Sequence, residues 1–365
     1  MKKKRIAFIG AGRVTKHHIN ILKSLSAHFK IVAVCDLIES KCDEIIKENK
    51  NLEIKKYNNY HKMIHECSLD LVAILTPSGM HYEHALDIIK NHKLDLILEK
   101  PPALRIKNLN HIYDLSKKKK INIFPVFQNR YNKAVKFLKK SILQEKLGKI
   151  NICSVRVRWC RPQRYYDMSD WRGTFSHDGG ALTNQGIHHI DLLRYLNGEI
   201  KSVRAIMKTL GSKIEVEDTV LATLTFKNGS VGNLEITTAA RPDDFEASIS
   251  FLGSKGMAQL GGKAVNNLEI YTPDPKMCKK QSEDFPIVYG FGHLELYKKI
   301  LKFYKNNKLK VIQRSDCIKS LELLHSFYVS SELNKEILLG RNLQSKNLGR
   351  KDDKISKLYR FKNEK

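Results

Sequence analysis

Ile6-Ala7-Phe8-Ile9-Gly10-Ala11-Gly12-Arg13-Val14-Thr15 is the stretch that decides the fold. Four apolar residues after a basic start read as a strand buried on both faces. Gly10 and Gly12 permit a tight turn and a close backbone approach to a pyrophosphate. The helix opening at Arg13 and Val14 would point its first N–H groups at those phosphates. A second apolar run, Ile31-Val32-Ala33-Val34-Cys35, ends at Asp36, where a carboxylate accepts hydrogen bonds from an adenosine ribose. No arginine follows directly, and an acid repels a 2′-phosphate, so the pattern predicts NAD rather than NADP. Thr15 stands where a Gly or Ala is expected, so the closest helix–strand contact should be relaxed. A doubly wound domain that binds another nucleotide, or none, is the alternative this stretch alone leaves open.

Strand-like runs near Ile6 to Ile9, Ile31 to Cys35, Leu71 to Leu75, Leu94 to Leu98 and Ile121 to Val126 alternate with amphipathic segments such as Ala85 to Lys90 and Leu109 to Lys117. That is the βαβ pattern of a parallel sheet with helices on both faces. After Tyr131 the pattern changes. A helix from about Lys133 to Gln144 leads to alternating strands at Cys153 to Trp159, Ser202 to Met207, Thr219 to Phe226, Val231 to Thr237 and Ala247 to Leu252. Asn228-Gly229 is a hairpin signal. Two helices, about Leu294 to Tyr304 and Cys317 to Leu333, follow. The expected fold is an N-terminal Rossmann domain, a doubly wound parallel sheet over residues 1–128. An α+β substrate and oligomerisation domain with a large, mostly antiparallel sheet covers 129–340, and a basic tail covers 341–365.

A chain of 365 residues suits two domains. The net charge of +27 raises the question of nucleic acid or an anionic membrane surface. The lysines are spread over the whole chain, and no aromatics interleave with them as on a single-strand binding face. The expectation is no nucleic acid, no membrane, and a field that recruits a small anionic substrate such as a nucleotide sugar. Seven scattered cysteines without a Cys-x-x-Cys predict reduced thiols, a cytoplasmic location and no zinc site. His61 and His65 have i,i+4 spacing but no third ligand, so they read as a solvated helix face and no metal is expected.

Lys100 follows an apolar strand in Glu99-Lys100-Pro101-Pro102, where ligands of open parallel sheets bind. A lysine there can stabilise an alkoxide, and Pro101 fixes the turn, with a cis bond open to it. In Gly179-Gly180-Ala181-Leu182-Thr183-Asn184-Gln185-Gly186-Ile187-His188-His189-Ile190-Asp191, a continuous helix from Leu182 would set Asn184, His188 and Asp191 on one face. His188 then suits a general base, oriented by Asn184 and Asp191, while His189 lies on another face and reads as structural. Arg156 and Arg158 fall on one side of a strand. Arg158, Arg161, Tyr165, Tyr166, Trp171 and Arg172 supply paired donors for diphosphate or carboxylate and rings for a sugar or base.

Together these pieces resemble the Gfo/Idh/MocA oxidoreductase family over nearly the whole chain. The resemblance is carried by Gly10-x-Gly12 with His18 downstream, Thr76-Pro77-Ser78-x-x-His81, Glu99-Lys100-Pro101, Asn184-x-x-x-His188-x-x-Asp191 and Phe226-x-Asn228-Gly229-Ser230. It implies that Thr76, Pro77, His81, Glu99 and Lys100 line the cofactor and that Lys100 and His188 are the catalytic pair. Many members have Asp at the position of Asn184, which leaves Asn184 an orienting group at most. Arg161-x-x-x-Tyr165-Tyr166, Trp171-Arg172-Gly173-Thr174, Asp178-Gly179-Gly180-Ala181-Leu182 and Asn184-Gln185-Gly186-Ile187-His188 look like the WlbA-type subgroup. That subgroup implies oxidation at C3 of UDP-N-acetylglucosaminuronic acid, a partner aminotransferase, surface-polysaccharide biosynthesis and a homo-oligomer, dimer or tetramer. Lys100, Asn184 and His188 would then also touch the sugar. UDP-N-acetylglucosamine, another sugar, an inositol, or a nonenzymatic NAD-binding regulator remain the alternatives.

Overall fold

Six apolar segments pair in parallel: β1 (Lys4–Ile9), β2 (Phe29–Cys35), β3 (Lys55–Tyr57), β4 (Leu71–Ile74), β5 (Asp95–Leu98) and β6 (Ile123–Pro125). Their order is β3-β2-β1-β4-β5-β6, so the winding reverses between β1 and β4. Ile6, Ala7, Phe8, Leu71, Val72, Ala73 and Leu96 are fully buried, as strands covered on both faces require. The C-terminal ends of β1, β4 and β5 lead into Gly10, Thr76 and Glu99. The computed structural model describes residues 2–285, 289–306, 311–340 and 343–360.

The second sheet is built from β7 (Ile150–Arg158), β8 (Ile200–Lys208), β9 (Thr219–Phe226), β10 (Val231–Thr237), β11 (Glu246–Gly253), β12 (Met257–Gly261), β13 (Asn267–Tyr271) and β14 (Ile337–Leu338). Its order is β13-β12-β11-β7-β10-β9-β8-β14. Every neighbouring pair is antiparallel except β7 with β10. The β9–β10 hairpin turns at Asn228-Gly229, with Gly229 at φ +87° and the Phe226 N–H donating to the Ser230 carbonyl. Along β7, Cys153, Val155 and Val157 are buried, and β7 packs on the helix Ile187–Asn197. Ile152, Ser154, Arg156 and Arg158 alternate onto the other, open face. β12, β13 and β14 had no counterpart in the sequence reading. β13 lacks clean alternation and β14 is two residues long.

The chain divides into two compact units, but not by contiguous segments. The first comprises Met1–Val126, Leu296–Cys317 and Lys351–Lys365, and the second Phe127–Glu295 and Ile318–Arg350. This corrects the expected 129–340 domain and the separate tail from 341. The helix Gly292–Asn306 carries an aromatic stripe that belongs to the first unit. Tyr297 packs edge-on to Phe29, Phe303 and Tyr304 pack on Phe124, and the Tyr304 hydroxyl donates to Asp95. Within the expected tail, Asp352 caps the helix Asp353–Leu358, and Arg360 pairs with Glu83 through two nitrogens. Amphipathic spacing shows that a helix buries one face, not which core receives it. Residues 341–342 and 361–365 of that tail lie outside the described residues. Among the described residues, no helix is long and apolar enough to cross a membrane.

Candidate active site

In the first unit, the turn after β1 depends on Gly10. Its φ is +99°, its N–H donates to the Cys35 carbonyl, and a Cβ there would lie 2.7 Å from the Leu75 carbonyl oxygen. Gly12, which caps the helix Arg13–Lys23, differs: a Cβ would meet nothing within 4 Å. Protein packing does not require that glycine, and its bareness leaves room beside the Arg13 and Val14 N–H groups, while the Thr15 N–H already donates to the Gly12 carbonyl. The Thr15 side chain is fully buried and its hydroxyl donates to the Gly10 carbonyl at 2.7 Å. The third fingerprint position thus ties the turn together.

Asp36 closes the same loop. One carboxylate oxygen accepts the Ala11 N–H at 2.8 Å and the other the Ile38 N–H at 2.9 Å. Each keeps acceptor capacity for a ribose hydroxyl. The residues present therefore fit a dinucleotide: an open helix N-terminus for phosphates and an oriented acid for the ribose.

Thr76 and Pro77 follow β4. The buried His81 ring places Nε2 2.9 Å from the Thr76 carbonyl and Nδ1 2.8 Å from the Pro101 carbonyl, so it links two loops at the sheet edge. Burial pushes its pKa down. His84 lies 3.0 Å from the Thr76 hydroxyl, and burial pushes it down to about 4. Lys100–Pro101 is a cis peptide bond. Glu99 accepts the Lys100 N–H at 3.0 Å and also faces His18.

In the second unit, Gly179 to Asp191 is not one helix. Gly180–Asn184 ends, the Gly186 N–H reaches back to the Ala181 carbonyl, and Ile187–Asn197 begins anew. A Cβ on Gly186 would lie 2.5 Å from Ile236 Cδ1, so this close packing accompanies the break. The expected common face of Asn184, His188 and Asp191 is corrected accordingly. Asn184 donates to Asp178, whose other oxygen accepts the Gly173 N–H. Asp191 is taken by Arg130 and by the Ser320 hydroxyl. His188 meets Gln128, whose amide nitrogen lies 3.3 Å from Nε2, and packs edge-on to Phe127. His189 is buried edge-on to Trp159, and burial pushes it down to about 4, in keeping with a structural residue.

The arginines separate into different roles. Arg158 donates Nε and Nη2 to Glu235 and Nη1 to Glu246 on the open face of the sheet. Strand alternation puts it opposite the face that packs on the helix carrying His188, so the substrate-binding role read for it is corrected. The Tyr166 ring is buried, its hydroxyl meets Thr238, and burial pushes its pKa up to about 12, which makes it a core residue rather than a sugar contact. Arg161 pairs with Asp244 through Nη1 and stacks on Trp159 and Tyr165. Arg172 stacks between Tyr165 and Trp171, 4.3 and 4.6 Å from the ring centroids. It has no carboxylate partner among the described residues, and its Nε is a buried donor with no acceptor there.

Gln128, Arg130 and Glu217 were missed from sequence, while Asp191 and Asp178 were named there without the partners the structure gives them. The one signal of the missed residues is polarity in segments flanked by apolar residues, which does not separate buried from solvated positions. Glu217 is fully enclosed. Its carboxyl accepts from Tyr328 and the Leu182 N–H, and burial pushes its pKa up to about 8.

A doubly wound sheet, a helix N-terminus behind a glycine turn and an acid at the end of the second strand define a dinucleotide-binding domain. Residues 4–127 match the oxidoreductase family with an NAD-binding Rossmann fold, and residues 135–259 match the GFO/IDH/MocA C-terminal domain. The WlbA dehydrogenase of Chromobacterium violaceum, solved with NADH and UDP-GlcNAcA, is 30% identical at a TM-score of 0.84, covering 93% of this chain and 97% of that one. The WlbA dehydrogenase of Bordetella pertussis, solved with the same two ligands, is 31% identical at 0.84, covering 92% and 98%. The myo-inositol 2-dehydrogenase of Thermotoga maritima is 27% identical over 260 residues, 69% of this chain and 73% of that one. The chain belongs to the Gfo/Idh/MocA oxidoreductase family and is an NAD-dependent sugar dehydrogenase.

Proposed function

We propose that this enzyme oxidises the C3 hydroxyl of a UDP-N-acetylated sugar, UDP-N-acetylglucosaminuronic acid first among them, to the 3-keto sugar. In this chain the observation that carries the reading is Arg172, an arginine held between two aromatic rings without a carboxylate partner among the described residues. Such a guanidinium suits a diphosphate or uronate carboxylate. The two WlbA structures that hold UDP-GlcNAcA support the same substrate.

Gly10, Gly12, Arg13, Val14 and Asp36 would hold the dinucleotide, and Thr76, Pro77, His81, Glu99 and Lys100 would line it. Bound NAD supplies the acceptor for the hydride that leaves C3. His188 takes the hydroxyl proton; the Gln128 amide nitrogen, a donor 3.3 Å from Nε2, must give up that contact, or the ring must take its proton at the other nitrogen. Lys100 stabilises the negative charge that develops on oxygen. Arg161 and Arg172 bind the anionic groups, and Tyr165 and Trp171 give the sugar an aromatic surface.

The 3-keto product is a carbonyl suited to a partner aminotransferase, and this reading includes cytoplasmic synthesis of a surface polysaccharide. The open sheet face exposes Ile152, Ile206, Leu221, Val231 and Leu252, and we assign it to contact with a second copy. A monomeric mass in solution would overturn that assignment. The test of function is incubation with NAD and a panel of UDP-sugars, free sugars and inositols, reading reduced nicotinamide and product mass. Preference for myo-inositol, as the similarity to an inositol dehydrogenase allows, would overturn the nucleotide-sugar reading.

A further inference from the structure

Three buried side chains of the first unit lead to the backbone of Lys100. The Tyr297 hydroxyl lies 2.8 Å from His18 Nδ1, His18 Nε2 lies 3.2 Å from Glu99 Oε1, and Glu99 Oε2 accepts the Lys100 N–H at 3.0 Å. Tyr297 and His18 are completely buried and Glu99 nearly so. Tyr297 is 279 residues from His18 in sequence.

The chemistry gives the chain one direction. An ionised carboxylate only accepts, so Nε2–H of His18 donates to Glu99. The lone pair of Nδ1 then accepts from the Tyr297 hydroxyl. Tyr297 stays a donor because burial, and then the Glu99 charge, hold its phenol well above the ordinary tyrosine range.

We infer that Tyr297–His18–Glu99 is a positioning chain for Lys100, fixing the Glu99 carboxylate against the lysine's amide and so setting where β5 delivers the side chain. The inference rests on the proposed role of Lys100. Glu99 acts through its neighbour, and His18 and Tyr297 act through Glu99.

The test uses the full-length enzyme. His18→Leu removes both hydrogen bonds. The expected result is a kcat lower by about tenfold or more, with KM for the sugar and Kd for NAD within about threefold of wild type. His18→Gln keeps a donor for Glu99 and an acceptor for Tyr297, so it should recover most of kcat. In 15N-lysine-labelled protein, the Lys100 amide resonance, assigned through Lys100→Arg, should move in His18→Leu and return towards its place in His18→Gln. Tyr297→Phe keeps the ring and removes only the hydroxyl, and it should give the same directions if His18→Leu does not fold. An unmoved Lys100 amide in the folded variants, unchanged kcat, or equal losses in Leu and Gln variants with a parallel loss of NAD binding would overturn the inference. Turnover in Lys100→Ala would instead overturn the role of Lys100. Loss in Lys100→Ala beside wild-type rates in His18→Leu and Tyr297→Phe would overturn the chain alone.

Discussion

Arg130 and Asp191 form a buried two-point ion pair, with Nε to Oδ2 at 2.7 Å and Nη2 to Oδ1 at 2.6 Å. Asp191 stands three residues past His188 on the helix Ile187–Asn197, so the pair clamps the helix that carries the proposed base. Removing one partner strands a charge out of water, at about 3–5 kcal/mol. Asp191→Ala and Arg130→Ala should each lose that much stability in urea titrations. A loss below about 1 kcal/mol, as for an exposed pair, would show that the clamp does not hold the helix.

Asp36 should select NAD over NADP. Its two oxygens are held by the Ala11 and Ile38 N–H groups, so its charge is fixed where a 2′-phosphate would fall. Isothermal titration of the wild type should show clear preference for NAD, and Asp36→Ala should narrow it. Equal affinities in the wild type would refute the assignment.

His188→Ala and Lys100→Ala should each reduce single-turnover hydride transfer by about a hundredfold or more while NAD binding persists. Gln128→Leu should change it less and alter its pH dependence, because it removes the amide donor that competes for the His188 Nε2 lone pair. Normal rates in both alanine variants would locate the chemistry elsewhere.

Arg172→Ala should raise KM for a UDP-sugar about ten- to a hundredfold, the loss of one charge-assisted contact. Arg158→Ala should leave it nearly unchanged, since Glu235 and Glu246 already engage that guanidinium. Steady-state kinetics of the two variants side by side decide between them. The reverse ranking would restore the open sheet face as a substrate surface.

Glu217 gives a pH signature. Its folded pKa, about 8, lies above that of an unfolded glutamate. Between the two values the folded protein holds a proton that the unfolded chain has lost. Stability from this group is therefore present at low pH and falls as pH rises through about 8, by at most about 1.4 kcal/mol per pH unit. Glu217→Gln, which keeps the shape and stays neutral, should flatten that slope in melts taken from pH 5 to 9. An identical slope in both proteins would show that Glu217 ionises normally.

The parallel sheet apart from β3, a three-residue strand with no apolar run, was legible because its signals are local: an apolar run, a glycine turn, an acid at the end of the next run. The Asn228-Gly229 hairpin was legible for the same reason. The helix through Asn184 and His188 was misread because spacing assumes unbroken helical phase, and the break at Gly186 answers to Ile236, 50 residues on. Arg158 was placed correctly on one side of its strand, but the pattern could not say which side the helices cover. Thr15 fills the glycine position of the fingerprint through a hydrogen bond that propensity does not encode. His18 was quoted as a motif residue, and its partner Tyr297 is invisible at that sequence distance.

The first unit is completed by residues that come late in the chain, Leu296–Cys317 and those from Lys351 onward. On a ribosome, β1 to β6 emerge first, yet Tyr297, Phe303, Tyr304 and Arg360 follow only after the whole second sheet except β14 has been made. The dinucleotide half therefore waits, with His18 lacking its phenol and Asp95 its hydroxyl, while the later half is synthesised. A fragment cut at Val126 reproduces that waiting state and should be a poor NAD-binding protein, even though it contains every residue of the glycine fingerprint.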